Sequence, residues 1–163
     1  MDYLSLIRSK IVSDPKEIET QLTFWHERHM RIVFTNGCFD ILHRGHVEYL
    51  ATAANLGNVL IIGLNSDESV KRLKGPTRPV QDEYSRAEIL AALTFVTKVI
   101  YFGEDTPYNL IKAIKPSILV KGGDYKIEDI VGYDIVTQNG GEVVTIDFVD
   151  GYSTTNILNK ANS

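Results

Sequence analysis

Cysteine is nearly absent from this sequence, and so are long apolar runs. Cys38 is the single cysteine among 163 residues, so no disulfide can form within the chain. No apolar stretch approaches the length needed to span a bilayer. The first eight residues also lack the basic start, apolar stretch and small-residue cleavage site of a secretory signal. We therefore expect a cytoplasmic protein in a reducing compartment, with no membrane partner.

An excess of basic residues is also missing. The 17 lysines and arginines are outnumbered by 21 aspartates and glutamates, and the net charge of −4 argues against nucleic acid as a partner. The cations are nevertheless uneven, because Lys71, Arg72, Lys74 and Arg78 fall within eight positions without an intervening acid. Such a segment either binds a small anionic ligand or forms a solvated surface loop, and charge alone does not separate these alternatives.

Internal repeats, low-complexity tracts and linkers are absent as well, and strand and helix patterns alternate along the chain. Short β-branched runs predict five strands, at residues 31–35, 59–64, 97–102, 117–120 and 143–146. Capped amphipathic segments predict helices at about 45–56, 83–94, 105–115 and 127–138, and a last one from Ser153. This alternation predicts an α/β fold: a Rossmann-like, doubly wound, five-stranded parallel sheet with helices on both faces.

Residues 1–29 precede the first predicted strand. Asp14 and Pro15 form a helix start, so we expect an N-terminal helical extension with a helix at about 15–29, followed by one domain at 30–163. In doubly wound sheets ligands bind beyond the carboxyl ends of the strands. The loops that follow the strands are therefore the segments in which we expect the chemistry.

The loop after the first predicted strand carries two histidines. His43 and His46 are three positions apart, which places both on one face of a helix that starts there. Free N–H groups at a helix start favour a phosphate, and two imidazoles can donate to its oxygens as charge develops. Gly37 and Gly45 leave room for close approach. Alternatively the histidines ligate zinc, with Asp40 as the one nearby acid, or are ordinary surface residues.

A second polar segment follows the last predicted strand, more than a hundred residues later. Ser153 stands at a predicted helix start, and Thr154 and Thr155 follow it. Their hydroxyls and the free backbone N–H groups could hold outer phosphates, although a serine-capped helix without a ligand has the same pattern. Both segments are predicted at the carboxyl edge of the sheet, so together they predict two halves of one phosphate site.

These two segments resemble a known superfamily. Asn36-Gly37-Cys38-Phe39-Asp40 with His43-Arg44-Gly45-His46, and later Gly151-Tyr152-Ser153-Thr154-Thr155, are similar to the signatures of the His-x-Gly-His nucleotidyltransferases, which include the cytidylyltransferases. The segments Lys71–Gly75, Lys121–Tyr125, Asn139–Val143 and Ser153–Ile157 resemble one branch, the D-glycero-β-D-manno-heptose 1-phosphate adenylyltransferases. Phe148 departs from the glycerol-phosphate cytidylyltransferases, which carry arginine at that place.

The resemblance implies a reaction and its partners. AMP would pass from ATP to the heptose 1-phosphate by direct in-line attack, giving ADP-heptose and pyrophosphate, with Mg²⁺ bridging phosphate oxygens and no metal site built from protein residues. Many members are fused to a sugar kinase, so for this chain we expect a separate kinase, and also a homodimer. The alternatives are a cytidylyltransferase acting on glycerol 3-phosphate or another polyol phosphate, and a nucleotide-binding module without turnover.

The resemblance also implies site residues. The catalytic residues would be His43, His46 and Lys74. Nucleotide would be bound by Asn36, Gly37, Cys38, Phe39, Asp40, Gly45, Lys121, Gly122, Gly123, Ser153, Thr154 and Thr155. The phosphosugar would be bound by Asp40, Lys71, Arg78, Arg86 and Asp124. Three alternatives stay open: Arg86 can pair with an acid on its own helix, the glycines at 122–123 can form a plain turn, and Cys38 can be a small buried filler.

Overall fold

The computed structural model describes residues 1–161 and 163, and its centre is a six-stranded, wholly parallel sheet. The strands are β1 Ile11–Val12, β2 Ile32–Gly37, β3 Val59–Asn65, β4 Lys98–Phe102, β5 Ile118–Gly122 and β6 Glu142–Ile146. Their order across the sheet is β1-β4-β3-β2-β5-β6, so the order reverses at β2 and β5. The ligand crevice of such a sheet lies beyond the carboxyl ends at that reversal.

Helices cover both faces of the sheet. They are α1 Tyr3–Arg8, α2 Glu19–Glu27, α3 Arg44–Ala54, α4 Asp67–Lys74, α5 Glu83–Ala91, α6 Tyr108–Ile114, α7 Tyr133–Gln138 and α8 Thr154–Ala161, with short 3₁₀ turns at Pro15–Ile18 and Ile127–Asp129. All seven residues of β3 are buried, because a central parallel strand has a helix layer on each side. The prediction of a doubly wound α/β fold is confirmed.

Two apolar cores lie on opposite faces of this sheet. One contains Phe34 and Ile61 with the inner faces of α2, α6 and α7, and the other contains Leu60 and Ile62 with those of α3 and α5. Neighbouring residues of β3 therefore point into different cores, as the two-residue period of a strand requires. Among the described residues, none of the helices combines the length and apolarity needed to cross a bilayer.

The prediction of five strands was wrong, since β1 is a sixth. Ile11 and Val12 pair in parallel with Val99 and Ile100 of β4, and Val12 is 3% exposed. A two-residue strand is too short to show the alternation from which strands are predicted. The helix expected at 15–29 is also shorter, consisting of the 3₁₀ turn and α2. The N-terminal segment thus contributes to the sheet as well as to its helices.

Two other elements differ from the sequence-based expectation. The basic segment, for which no helix was predicted, lies largely on α4. Ser66 caps the start of this helix by accepting a hydrogen bond from the Ser69 amide, and the helix ends at Gly75, which has φ of 98°. Lys71, Arg72 and Lys74 occupy the last turn of α4, where the helix dipole favours positive charge. The helix expected at 127–138 is divided, because Gly132 adopts φ of 93° before α7 begins.

Candidate active site

A cleft of about 590 Å³ opens at the carboxyl ends of the central strands. Several predicted site residues line it: Asn36 and Gly37 at the end of β2, Cys38 and Phe39 after it, His46 on α3, Lys74 on α4, and Lys121 and Gly122 at the end of β5. The parallel topology brings the strand-end residues together, because β2 and β5 are neighbours that end at the same edge of the sheet, and His46 lies in the first turn of the helix that follows the β2 loop. This volume is within the usual range for small-ligand sites.

The loop after β2 folds back on itself at one wall of the cleft. A Cβ atom on Gly37 would lie 2.9 Å from Cε2 of Phe39, so only glycine leaves space for that ring. Phe39 adopts φ of 43°, a left-handed conformation that is uncommon for a bulky side chain. Its ring meets His46 edge to face, with centroids 5.3 Å apart. The loop is therefore packed directly against one of the two histidines.

His43 and His46 stack on one another at the start of α3. Their ring centroids are 3.8 Å apart with an interplanar angle of 20°, and both Nδ1 atoms are buried without a hydrogen-bond partner among the described residues. Burial lowers the pKa of His43, and burial together with the neighbouring His43 lowers the pKa of His46 to about 4. Near neutral pH both rings are uncharged, and each has one N–H to donate.

The late segment lies against these histidines. The Tyr152 ring stacks beside His43 with centroids 6.3 Å apart, and its Cβ would be 3.1 Å from a Cβ placed on Gly45. Arg44 reaches over the same tyrosine ring, with Cζ 5.6 Å from the centroid. Ser153 caps α8 by accepting a hydrogen bond from the Asn156 amide at 3.0 Å. The two segments are therefore neighbours, with residues 153–155 beside the cleft rather than in its lining.

The Gly122–Gly123 turn is covered by an aromatic side chain. A Cβ on Gly122 would lie 2.5 Å from Cε1 of Phe148, and Gly123 has φ of 101°. Phe148 is 62% exposed and lines the cleft together with Tyr125 and Lys121. Burial lowers the pKa of the Lys121 ammonium. The glycines thus admit Phe148 into close contact with the end of β5.

Asp40 and Arg78, which we expected to contact substrate, are bonded to each other. Asp40 is 2% exposed, and its carboxylate accepts hydrogen bonds from the amides of Val80 and Gln81 and from Nε of Arg78 at 2.6 Å. Burial alone would raise the pKa of Asp40, but these hydrogen bonds outweigh it and lower the pKa. Since its acceptors are occupied by protein donors, Asp40 joins the β2 loop to the segment before α5.

Arg86 is likewise turned into the protein. Its side chain is 0% exposed, and its guanidinium donates to the carbonyls of Cys38 and Gln81 and to Oδ1 of Asp67. Asp67, the acid with which Arg86 pairs, belongs to α4, whereas Arg86 belongs to α5. The alternative of an ion pair within one helix is therefore wrong as well. Direct contact of Arg86 with a ligand in the cleft is inconsistent with this burial.

Lys71 and Asp124 lie outside the lining of the cleft, and both are exposed. Their proposed contact with a phosphosugar stays a prediction. The sequence reasoning missed Tyr49, Asn65, Tyr125 and Asp105 as lining residues. A signal existed for Tyr49, which is three residues after His46 and therefore shares its helix face.

The described residues do not form a cage for a metal ion. Among residues 1–161 and 163, no group of three or more histidine, cysteine, aspartate or glutamate side chains is placed to hold one. Asp105 and Asp129 line the cleft, but Asp105 is paired with Nε of Arg72 at 3.0 Å. This donor set does not fit a resident divalent cation, which needs several oxygen ligands around one point.

Comparisons with known proteins agree with this geometry. A family profile described as cytidylyltransferase-like matches residues 34–160. The chain is 54% identical over 152 residues to the bifunctional protein HldE of Nitrobacter hamburgensis, and 55% identical over 152 residues to that of Rhodopseudomonas palustris. Each alignment covers 93% of this chain and 31% of the relative, so the chain spans about a third of the length of these curated relatives.

Solved structures extend the comparison. A lipopolysaccharide core biosynthesis protein from Thermoplasma volcanium GSS1 is 30% identical, with a TM-score of 0.60 over 76% of this chain and 99% of that one. Pantoate-beta-alanine ligase from Francisella tularensis is 15% identical, with a TM-score of 0.59 over 93% of this chain and 76% of that one, and shares the fold. Because the family profile matches most of its length, the chain belongs to the cytidylyltransferase-like family.

Proposed function

We propose that this protein is an adenylyltransferase that transfers AMP from ATP to D-glycero-β-D-manno-heptose 1-phosphate and releases pyrophosphate. The observation that carries the proposal is the contact between the two signature segments, in which Tyr152 lies against His43 and Gly45 at the edge of the cleft. A triphosphate is long enough to reach both segments, and each offers donors suited to phosphate oxygens.

The choice of acceptor rests on the relatives. The two HldE proteins are named bifunctional, and the Thermoplasma volcanium neighbour is named for lipopolysaccharide core biosynthesis. The sequence segments that resemble heptose 1-phosphate adenylyltransferases agree with those names. Phe148 supports the same choice, because the glycerol-phosphate branch carries an arginine at this sequence position, whereas Phe148 packs against the end of β5.

The proposed reaction needs no covalent protein intermediate. A phosphate oxygen of the sugar phosphate attacks the α-phosphorus, forming a new P–O bond while the bond from the α-phosphorus to the bridging oxygen breaks. Pyrophosphate carries away the electron pair. The attacking phosphate is already ionised near neutral pH, so no protein base has to remove a proton from it.

Catalysis in this proposal consists of positioning and charge stabilisation. The uncharged rings of His43 and His46 donate N–H groups to the α-phosphate as charge builds up, and Lys74 and Lys121 neutralise the phosphate chain from the cleft walls. Ser153, Thr154 and Thr155 bind the departing pyrophosphate. Because no protein cage for Mg²⁺ is present among the described residues, the ion would enter as MgATP, held by phosphate oxygens.

The proposal includes a homodimer and a separate kinase that supplies the sugar phosphate, in the cytoplasm. Support for self-association comes from α1, where Tyr3 is 70%, Leu4 47% and Leu6 50% exposed. Apolar residues grouped on one short helix are typical of a surface that a partner covers. Light scattering coupled to gel filtration measures the mass of the species in solution.

The test is a pyrophosphate-release assay with MgATP or MgCTP, each combined with heptose 1-phosphate or glycerol 3-phosphate. We expect turnover with ATP and the heptose, and a loss of about 100- to 1000-fold in kcat for His46→Ala, since one transition-state donor is removed. The matched control is His29→Asn, an exposed histidine remote from the cleft. Turnover of a folded His46→Ala protein near that of the wild type would contradict the role of His46.

Each other outcome of the same assay has a defined meaning. Release only with CTP and glycerol 3-phosphate would replace the proposal with a cytidylyltransferase. Nucleotide binding, measured by calorimetry, without pyrophosphate release from any acceptor would indicate a binding module.

A further inference from the structure

Arg86 is the largest fully buried side chain in the structure and carries a charge. A buried guanidinium is destabilising unless its donors are satisfied, so the identity of its partners shows what the residue holds together. Nη1 donates to the Cys38 carbonyl at 2.6 Å, Nε to the Gln81 carbonyl at 3.1 Å, and Nη2 to Oδ1 of Asp67 at 2.7 Å.

These three partners belong to three different segments around the cleft. Cys38 is part of the loop after β2 that lines one wall. Asp67 is the first residue of α4, whose last residue, Lys74, also lines the cleft. Gln81 precedes α5, and its amide is bonded to Asp40 of the same loop at 3.0 Å. One guanidinium therefore connects the loop after β2 to α4, and each of these segments contributes residues to the cleft lining.

A second contact reinforces the α4 end of this connection. The amide of Asp67 donates to Oε2 of Glu83, the first residue of α5, at 2.7 Å. Asp67 is consequently held to α5 by its backbone and by its side chain. Because α4 is a single helix of eight residues, fixing its first turn also fixes the direction in which Lys74 projects.

We propose that Arg86 is a positioning residue that sets the distance between the loop at Cys38 and the helix that carries Lys74. It acts through its neighbours and does not contact the nucleotide. Lysine cannot replace it, since an ammonium lacks the planar fork that reaches three acceptors in different directions. The expected effect on turnover rests on the proposed function. The effect on the loop does not, because thiol reactivity is measured without substrate.

Cys38 provides the direct test, because it is the only thiol in the chain and adjoins the carbonyl that Arg86 holds. Cys38 is half-buried in the cleft lining, so its reaction rate with a disulfide reagent such as DTNB reports how tightly the loop is packed around it. Loss of a charge-assisted hydrogen bond is expected to increase that rate by about tenfold or more in Arg86→Lys. The matched control is Arg8→Lys, which alters a surface ion pair between α1 and Glu88 of α5, outside the lining of the cleft.

Asp67→Asn is the second variant and decides the question if Arg86→Lys does not fold. It removes the charge at the α4 end while filling the same space, and we expect an increase in thiol reactivity of about threefold or more. Wild-type thiol rates in both folded variants, or in Asp67→Asn alone if Arg86→Lys is unfolded, would overturn the proposal. So would an equal increase in Arg8→Lys, which would indicate a general loosening.

Turnover supplies the readout that distinguishes positioning from simple stability. If Arg86 acts by orienting Lys74, the losses in kcat/KM for Arg86→Lys and Lys74→Ala are less than additive when combined. Additive losses would overturn the link to Lys74. If the wild type releases no pyrophosphate at all, the proposed function fails while the thiol rates still decide whether Arg86 holds the loop.

Discussion

His46 is held uncharged by the same packing that places it in the cleft. Burial and the adjacent His43 lower its pKa to about 4, whereas an unfolded histidine titrates near 6.5. Between these values the unfolded chain binds a proton that the folded protein does not bind. The contribution of His46 to stability is therefore fully present above about pH 6.5 and decreases as the pH falls toward 4.

This linkage predicts a pH-dependent difference between wild type and His46→Asn. Between pH 7.5 and pH 5 the free energy of unfolding of the wild type should fall by more than that of the variant, as measured by urea denaturation at each pH. The exposed His29→Asn serves as control and should follow the wild type. An identical pH dependence in wild type and His46→Asn would contradict the lowered pKa.

The role of Asp40 in the structure differs from the role expected from the sequence. From its place in the loop after the first strand, Asp40 was expected to bind nucleotide and the phosphosugar. In the structure its carboxylate accepts from two backbone amides and from Arg78, which leaves it no role as a free acceptor in the cleft. Its proposed contribution is to hold the loop in shape, as Arg86 does from the other side.

At the scale of elements, the N-terminal segment is joined to the sheet more closely than its helical pattern suggests. β1 extends the sheet at the outer side of β4, while Ile18 and Leu22 enter the core on the face covered by α6 and α7. Ile18 is 3% exposed and Leu22 is 7% exposed. The segment therefore contributes one strand to the sheet and two side chains to the core on that face.

This packing predicts a clear contrast between two substitutions in the N-terminal segment. Ile18→Ala should lower the free energy of unfolding by about 2–5 kcal/mol, because it removes buried methylene groups and leaves a cavity. Gln21→Ala, at an exposed position of α2, should change it by less than about 0.5 kcal/mol. Chemical denaturation of both variants measures the difference. Equal effects of the two substitutions would show that residues 15–22 do not share the core.

At the scale of the whole molecule, the topology joins two segments that are far apart in sequence. β2 lies next to β5 and β5 next to β6, so the loop after β2 and the segment after β6 end at the same edge of the sheet. Tyr152 then meets His43 and Gly45 directly. A ligand that spans these segments contacts residues more than a hundred positions apart.

This arrangement predicts how bound nucleotide changes amide exchange. On addition of MgATP, hydrogen exchange followed by mass spectrometry should slow both in residues 36–46 and in residues 152–157, because one triphosphate holds both segments. The surface helix α1, remote from the cleft, is the internal control and should not change. Protection of the early segment alone would contradict a shared phosphate site.

Much of the fold could be predicted because it is encoded by local patterns. The strands β2 to β6 are short β-branched runs, and glycine, proline and capping residues separate them from helices, so their order along the chain is readable. β1 was missed since two residues carry no periodicity. The carboxyl edge as the site of chemistry also follows from this order, because a parallel sheet has only one such edge.

The sequence by itself determined the alternation of strands and helices, the two signature segments and the family to which they point, since each is a pattern within about a dozen neighbouring residues. Only the tertiary structure decided which polar side chains face the cleft. Asp40 is bonded to partners 38 to 41 residues away, Arg86 is bonded to a carbonyl 48 residues away, and Phe148 covers a glycine 26 residues before it. Local spacing carries no information on such contacts, because they depend on how separate elements pack against one another.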